Sequence, residues 1–403
     1  MRQYLLYIAL MLISLTACTE DHSLDIPTAG DKEVWAHFSF GHSNFDMIDV
    51  KTRATLSESA ESRVENLYVY IFDSQGNRLY SHFYDYNSRV EQLPTTAGNY
   101  WTVNNRTSSN QNDTNGEVMI KSPTMSGGSI YLIANLNADQ LNISADQLNT
   151  IRSLSELQAL TITMNQEITS RTGIMLMSGN ADNVTIEEDG EITQNGSSVN
   201  ISLVRLDAKV TVNLQIGTAT TEGQEMKGFI PESWQIMRLP KGTYLLPMED
   251  TNGKLKDADQ LGYFDSPELY FESNADGVSG FSFYILENME DTSGLTSYAE
   301  RDSRSKNDDG SYNTRDGLWE YASEEATYIV IKGKVQMTVD SNKETGMQYL
   351  EADVTYYLHL GDFGSSKSGG RYNDFTIRRN THYNYYNHYN DYNYIIGNYR
   401  NNN

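Results

Sequence analysis

The sequence predicts an all-β protein with a few short helices. Tyr, Thr, Val, Ile and Phe, which favour strands, recur in short runs, and Gly, Asn, Asp and Ser separate these runs. Tyr alone accounts for 28 of the 403 residues. The polar stretches between the runs are long and indicate extended surface loops. A chain of this length has enough material for two domains with conventional cores.

The composition argues against several classes of function. Cys18 is the single cysteine, so the sequence offers no disulfide pair and the fold must be stabilised by buried apolar area. A formal net charge of −24 argues against binding to nucleic acid or to anionic lipid. The sequence contains no phosphate-binding loop, zinc-protease helix or nucleophile elbow, and Asp308-Asp309-Gly310 lacks the spacing of a calcium loop. We therefore expect no cofactor, no metal and no catalysis.

The first residues have the form of a lipoprotein signal. Arg2 precedes an apolar run, residues 4–13, that is too short to cross a bilayer but matches a signal-peptide core. Leu15-Thr16-Ala17-Cys18 follows and resembles the lipobox of bacterial lipoproteins. This resemblance implies that residues 1–18 are the signal peptide and that Cys18 is acylated. The alternative is an ordinary cysteine behind a plain secretion signal.

A leader is predicted at residues 19–53. Within it, residues 33–40 alternate, and this pattern predicts an edge strand with one buried face. The residues of that face are Val34, Ala36, Phe38 and Phe40. Arg53, followed by Ala54, lies in a polar stretch of the kind that proteases nick. From the residues alone, an ordinary surface arginine is the better explanation of Arg53.

An N-terminal domain is predicted at residues 54–206. The continuous apolar run at residues 67–72 predicts a strand that is buried on both faces. Ser144 and Ser153 each begin a capping-box sequence, which predicts two short helices at the end of a sandwich. Asp189-Gly190 predicts a hairpin whose acidic tip lies in solvent.

A second domain is predicted at residues 207–379. The extended stretch at residues 199–216 has a polar middle, as two consecutive sandwiches joined by a crossover would require. Residues 380–403 are rich in Tyr and Asn, and disorder is the default expectation for such a tail. Within it, Tyr392, Tyr394 and Ile396 alternate and could form a short strand.

Seven motifs are spread in order between residues 64 and 383. They comprise residues 64–73, Tyr131-Leu132-Ile133-Ala134-Asn135, Met175-Leu176-Met177-Ser178-Gly179, residues 203–210, residues 283–288, residues 326–333 and a closing motif of Leu360-Gly361 with Arg379-Asn380-Thr381-His382-Tyr383. Taken together, they resemble the fimbrillin superfamily, the structural subunits of type V pili.

The resemblance implies two tandem transthyretin-like β-sandwiches on the outer membrane or cell surface, tethered there by the lipid. It also implies that a trypsin-like protease cuts between Arg53 and Ala54 and so removes the leader strand, which acts as a plug. A strand from another fimbrial subunit would fill the vacant groove, and the candidate donor is Tyr392, Tyr394 and Ile396.

A second function remains open. The chain could be an unprocessed tip or anchor adhesin, or a glycan-binding surface lipoprotein. Trp101 and Trp319 are the aromatic side chains that could stack on sugars, although aromatic residues in sandwiches more often belong to the core.

Overall fold

The computed structural model describes residues 30–388, with its main gaps at residues 49–57, 105–114, 272–278 and 363–371. Strands make up most of the described chain, and the three helices within it are short. The helices are α1 (Glu58–Ser62), α2 (Ala145–Thr150) and α3 (Leu154–Gln158). No helix in the described part of the chain has the length and apolar character needed to cross a bilayer.

Among the described residues, twelve strands precede residue 206. They are β1 (Glu33–His42), β2 (Asp46–Ile48), β3 (Asn66–Phe72), β4 (Arg78–Asp85), β5 (Tyr100–Asn104), β6 (Asn115–Pro123), β7 (Met125–Ala134), β8 (Thr161–Thr163), β9 (Met177–Ile186), β10 (Ile192–Gln194), β11 (Ser197–Ser198) and β12 (Asn200–Arg205). Ten of them form one curled sheet in the order β4-β3-β7-β9-β12-β1-β6-β5, with β10 and β11 attached beside β9.

The curled sheet encloses the first core. Side chains from β1, β6, β7, β9 and β12 meet inside it, and Trp101 is fully buried there. All seven residues of β3 are buried, which confirms the strand buried on both faces. Tyr68, Tyr70 and Phe72 point outward into a second cluster, where Leu148 of α2 and Leu157 of α3 cover them. The two helices therefore pack on the outer face of the sheet.

The helix starts follow their sequence signals. Ser144 accepts a hydrogen bond from the Gln147 backbone, and the Gln147 side chain bonds back, so α2 begins with a complete capping box. Ser153 caps α3 by accepting from the Glu156 backbone N–H.

In the part of the chain that the structure describes, eleven strands follow residue 206. They are β13 (Asp207–Gln215), β14 (Thr220–Thr221), β15 (Gln224–Met237), β16 (Leu239–Pro240), β17 (Gly242–Tyr244), β18 (Tyr263–Phe264), β19 (Leu269–Tyr270), β20 (Ser279–Leu286), β21 (Tyr328–Asp340), β22 (Met347–His359) and β23 (Thr381–His388). Two sheets, β2-β23-β13-β20 and β14-β15-β21-β22, face each other across a second core that contains Val210, Phe229, Phe283 and Ile331. The all-β fold class with two sandwiches is confirmed.

Two expectations about the strands are wrong. β1 is not an edge strand, because it lies between β12 and β6. Alternation shows which face of a strand is buried, but it does not show what pairs along its sides. The Tyr/Asn-rich tail also does not begin at residue 380, because β23 is an inner strand that pairs with β13 along its length. Tyr383 and Tyr385 are buried in the second core, so this low-complexity sequence carries a hidden apolar face.

Candidate functional site

The opening strand β1 fills a groove in the first sandwich. Its alternate side chains Val34, Ala36, Phe38 and Phe40 are 8%, 0%, 2% and 1% exposed. On one side β1 pairs antiparallel with β6, from Glu33 opposite Pro123 to Gly41 opposite Asn115. On the other side it pairs parallel with β12, but only over Ser39–His42. A complete ladder with β6, a short ladder with β12 and one apolar face therefore hold the strand.

A gap separates the first half of β1 from its second neighbour. A surface pocket of about 170 Å³ lies here, lined in part by His37, Ser39, Glu117 and Ile192. It is on the outer side of the sheet, because His37 and Glu117 are exposed.

The acidic hairpin tip crosses over β1 at this gap. The His37 backbone N–H donates to the Gly190 carbonyl over 3.4 Å, and Lys32 Nζ lies 2.8 Å from Glu188 Oε2. The hydrogen bond from Lys32 lowers the pKa of Glu188. Gly190 has φ +90°, and a Cβ there would lie 2.0 Å from the Trp35 carbonyl oxygen. Only glycine therefore fits between the tip and the strand.

A glycine also makes room at the other end of the groove. Gly116 of β6 lies opposite Phe40, and a Cβ on Gly116 would lie 2.4 Å from Phe40 Cζ. The Phe40 ring thus occupies the space that a side chain at residue 116 would fill.

The leader reaches the second sandwich as well. Its second strand, β2, pairs parallel with β23, with Asp46 opposite Thr381 and Ile48 opposite Tyr383. Because β2 is the outermost strand of that sheet, removing it would leave one side of β23 open.

The chain after the leader is anchored independently of β1. Glu61 in α1 is 3% exposed, and its Oε1 accepts from Lys209 Nζ over 2.7 Å and from Tyr284 Oη over 2.6 Å. The Glu61 carbonyl oxygen accepts from Arg205 Nε over 2.6 Å. Residues of the first sandwich, the crossover and the second sandwich thus meet at α1. We call this cluster of Glu61, Arg205, Lys209 and Tyr284 the junction.

The charged residues in the crossover, residues 205–209, are buried and have partners. Arg205 also donates to Asn380 Oδ1 over 2.8 Å, while Asp207 Oδ1 lies 2.6 Å from Arg171 Nη2. Arg171 and Asp207 side chains are each 2% exposed. Burying a charge is costly unless a partner is present, so the alternating charges of residues 205–209 bind partners from distant segments.

His382 is buried in β23, although the sequence around it is polar and rich in Tyr and Asn. It is 9% exposed, and its Nε2 lies 2.9 Å from Thr211 Oγ1. Burial, together with the nearby Lys209 charge, lowers the pKa of His382 to about 4.

This pKa predicts a pH dependence of stability. Unfolded His382 binds a proton below pH about 6.5, whereas folded His382 binds one only below about 4. The unfolded state therefore gains protons first, and stability falls as the pH drops through this window, by up to about 3 kcal/mol. Denaturant titrations at several pH values check this. In the His382→Gln variant, the free energy of unfolding should change less between pH 6.5 and 4 than in the wild type. If it falls with pH as steeply as in the wild type, the prediction is wrong.

The remaining predicted site residues divide into two groups. Cys18, Arg53, Ala54, Tyr392, Tyr394 and Ile396 lie outside the described residues. Trp101 and Trp319, considered for sugar stacking, are 0% and 9% exposed, so neither presents a ring face to solvent. The Trp101 indole N–H donates to the Asp85 carbonyl over 3.1 Å, as in a core position.

The sequence analysis did not identify four residues of the site, which are Glu61, Gly116, Arg171 and Gly190. Charged residues at alternate positions of an otherwise apolar crossover strand were a usable signal, because they require buried partners. Nothing in a single sequence indicates which distant residues supply those partners.

A family model matches one part of the chain. Residues 283–386 match the model of a family described as a domain of unknown function, DUF4906. None of the curated proteins compared with the chain matches it.

The chain is similar to fimbrial and cell adhesion proteins. A candidate cell adhesion protein from Parabacteroides distasonis is 14% identical, with a TM-score of 0.49, and the match covers 86% of this chain and 90% of that one. A fimbrial assembly protein from the same species is 14% identical, with coverage of 80% and 86% and a TM-score of 0.36. The fimbrial anchor protein Mfa2 from Porphyromonas gingivalis is 12% identical, with coverage of 80% and 82% and a TM-score of 0.31.

Proposed function

We propose that this protein is a non-catalytic subunit of a cell-surface fimbria and that it polymerises by strand exchange. It would be exported as a lipoprotein through Cys18 and held at the outer membrane. A trypsin-like protease would cut after Arg53, β1 would leave, and a strand from another subunit would take its place. The filament would then mediate adhesion.

The arrangement of β1 carries the proposal. β1 supplies four inward side chains to the first core, yet it makes a complete ladder only with β6 and pairs with β12 only over Ser39–His42. Its removal would leave apolar side chains and unpaired backbone groups along β6, which a new strand satisfies by β-augmentation.

The junction supports the same mechanism. Ala54 would become the N-terminus after cleavage, only a few residues before α1. Glu61 binds Lys209 and Tyr284 without any contribution from β1. The contacts between α1, the crossover and the second sandwich would therefore stay in place when the leader departs.

An unprocessed adhesin or anchor that binds glycans is the alternative. Among the described residues, Tyr270 is the large aromatic side chain with the greatest exposure, at 75%. It lies on the short strand β19 beside Leu269 and could stack on a sugar.

Arg53→Ala tests the proposal in cells that make the fimbriae. We expect wild-type protein in purified fibres to begin at Ala54, and the Arg53→Ala protein to be absent from fibres and to keep its leader. Arg63→Ala is the control, because Arg63 is an exposed arginine that pairs with Glu65 just after α1. N-terminal sequencing and electron microscopy give the readouts. Fibres containing the Arg53→Ala protein would refute strand exchange, and wild-type protein that begins at acylated Cys18 would favour the alternative.

A further inference from the structure

The hairpin tip, residues 187–191, covers the side of β1 that β12 leaves unpaired. β12 pairs with β1 only over Ser39–His42. Before that segment the tip lies alongside β1 instead, so closely that a Cβ added to Gly190 would lie 2.0 Å from the Trp35 carbonyl oxygen. The His37 backbone N–H donates to the Gly190 carbonyl over 3.4 Å. A turn, and not a strand, therefore holds the first half of β1 on this side.

The tip is a closed turn with hydrogen bonds of its own. The Glu187 backbone N–H donates to the Glu191 carbonyl over 2.9 Å, and the Gly190 N–H donates to the Glu187 carbonyl over 3.0 Å. The Asp189 carboxylate accepts from the Glu191 N–H, also over 3.0 Å. None of these three bonds involves β1, so the turn can keep its shape when it moves away from the strand.

The tip contributes no apolar side chain to the first core. Its four acidic side chains are all exposed, and Gly190, which has no side chain, is the buried member of the turn. The acidic residues are Glu187, Glu188, Asp189 and Glu191. Segments with few buried apolar contacts open locally at a low cost in free energy. The tip can therefore lift from β1 while the core beneath it stays packed.

Opposite charges bring the tip and the leader together. Lys32 lies just before β1, and its Nζ is 2.8 Å from Glu188 Oε2. The two side chains are 56% and 81% exposed, and an ion pair in such a position contributes little by itself. We therefore expect the close backbone contact at Gly190 to hold the leader more strongly than the ion pair does.

We propose that the turn of residues 187–191 is a latch that holds the first half of β1 and sets how long the leader stays in the groove after the cut at Arg53. This inference rests on the proposed function, because it concerns the regulation of the same groove. While the latch is closed, β1 is held along both of its sides. When the latch opens, the backbone around His37 becomes accessible from one side, and this opening precedes the departure of β1.

Two glycine variants test the latch in the cleaved full-length protein. Gly190→Ala places a Cβ against the Trp35 carbonyl and pushes the tip away from β1, so the leader should dissociate at least tenfold faster. Gly196→Ala is the matched control. Gly196 also has a positive φ, +77°, in the next turn of the chain, but among the described residues only its chain neighbours lie within 4 Å of its Cβ position. This control should release the leader within twofold of the wild-type rate.

A dye on Cys18, the single thiol of the chain, reports the release in protein that is made without lipidation. Fluorescence that leaves the body of the protein after the cut gives the dissociation rate. Equal rates for Gly190→Ala and Gly196→Ala would overturn the inference and leave the proposed function standing.

Charge reversal tests the ion pair of the latch. Lys32→Glu and Glu188→Lys should each speed up release of the leader by about two- to fivefold. The double variant restores a pair of opposite charges and should release the leader more slowly than either single variant. No recovery in the double variant would overturn the electrostatic part of the inference.

Hydrogen exchange in the uncleaved protein keeps the latch falsifiable if the leader is never released. The His37 amide should exchange faster in Gly190→Ala than in the wild type or in Gly196→Ala, because the variant loses the hydrogen bond to the tip. Equal exchange in the three proteins would overturn the latch. A wild-type leader that is never cut in cells would overturn the proposed function instead.

Discussion

Phe40→Ala is expected to lower the free energy of unfolding of the uncleaved protein by about 3–5 kcal/mol. Phe40 is 1% exposed, and its ring lies directly against Gly116, which has no side chain to fill the space. The truncation therefore loses the transfer free energy of the ring and leaves a cavity. Denaturant unfolding followed by tryptophan fluorescence measures the effect, because Trp101 is buried in the same core.

The same change should loosen the leader. Because β1 lacks a full ladder on the β12 side, much of its attachment comes from its inward side chains. We expect the leader of the cleaved Phe40→Ala protein to dissociate faster than that of the wild type. His37→Ala is the matched control, since His37 is exposed on the same strand and such changes usually cost less than about 0.5 kcal/mol. Equal losses of stability for the two variants would show that the groove does not hold β1 in this way.

Glu61→Ala should destabilise the protein by about 3–5 kcal/mol, because it removes one partner from a buried ion pair. The Glu61 and Lys209 side chains are 3% and 7% exposed, so water cannot replace the lost carboxylate. The Tyr284 hydroxyl loses its acceptor at the same time. Calorimetry should show a lower melting temperature, and both sandwiches should be affected since each contributes to the junction.

Glu65→Ala provides the comparison for this effect. Glu65 lies four residues further along the chain and pairs with Arg63, but the two side chains are 30% and 49% exposed. Exposed ion pairs contribute about 0–1 kcal/mol, so this variant should be close to wild type. If Glu61→Ala were equally mild, the junction would not be what anchors α1 after the leader has gone.

Local sequence signals were sufficient where a short segment determines its own structure. The continuous apolar run of β3 predicted burial on both faces, and Ser144 predicted the start of α2. The alternation of Val34, Ala36, Phe38 and Phe40 likewise indicated one inward face. In each case the pattern reflects strand or helix periodicity within a few residues.

The sequence analysis did not predict the buried strand β23, because its composition is that of a disordered tail. The Tyr/Asn-rich sequence of β23 lacks aliphatic residues, yet Tyr383 and Tyr385 alternate toward the second core. Tyrosine serves here as a core residue whose hydroxyl finds a partner, since Tyr385 Oη donates to the Gly361 carbonyl over 2.9 Å.

The sequence by itself determined the all-β class, the inward face of the opening strand and the presence of charges in the crossover. Only the tertiary structure decided that β1 lies between β6 and β12, that Glu61 meets Lys209 across 148 residues of chain, and that Gly116 and Gly190 shape the groove. The physical reason is that periodicity arises from neighbouring residues, whereas strand pairing, charge partners and close backbone approach depend on residues that only folding brings together.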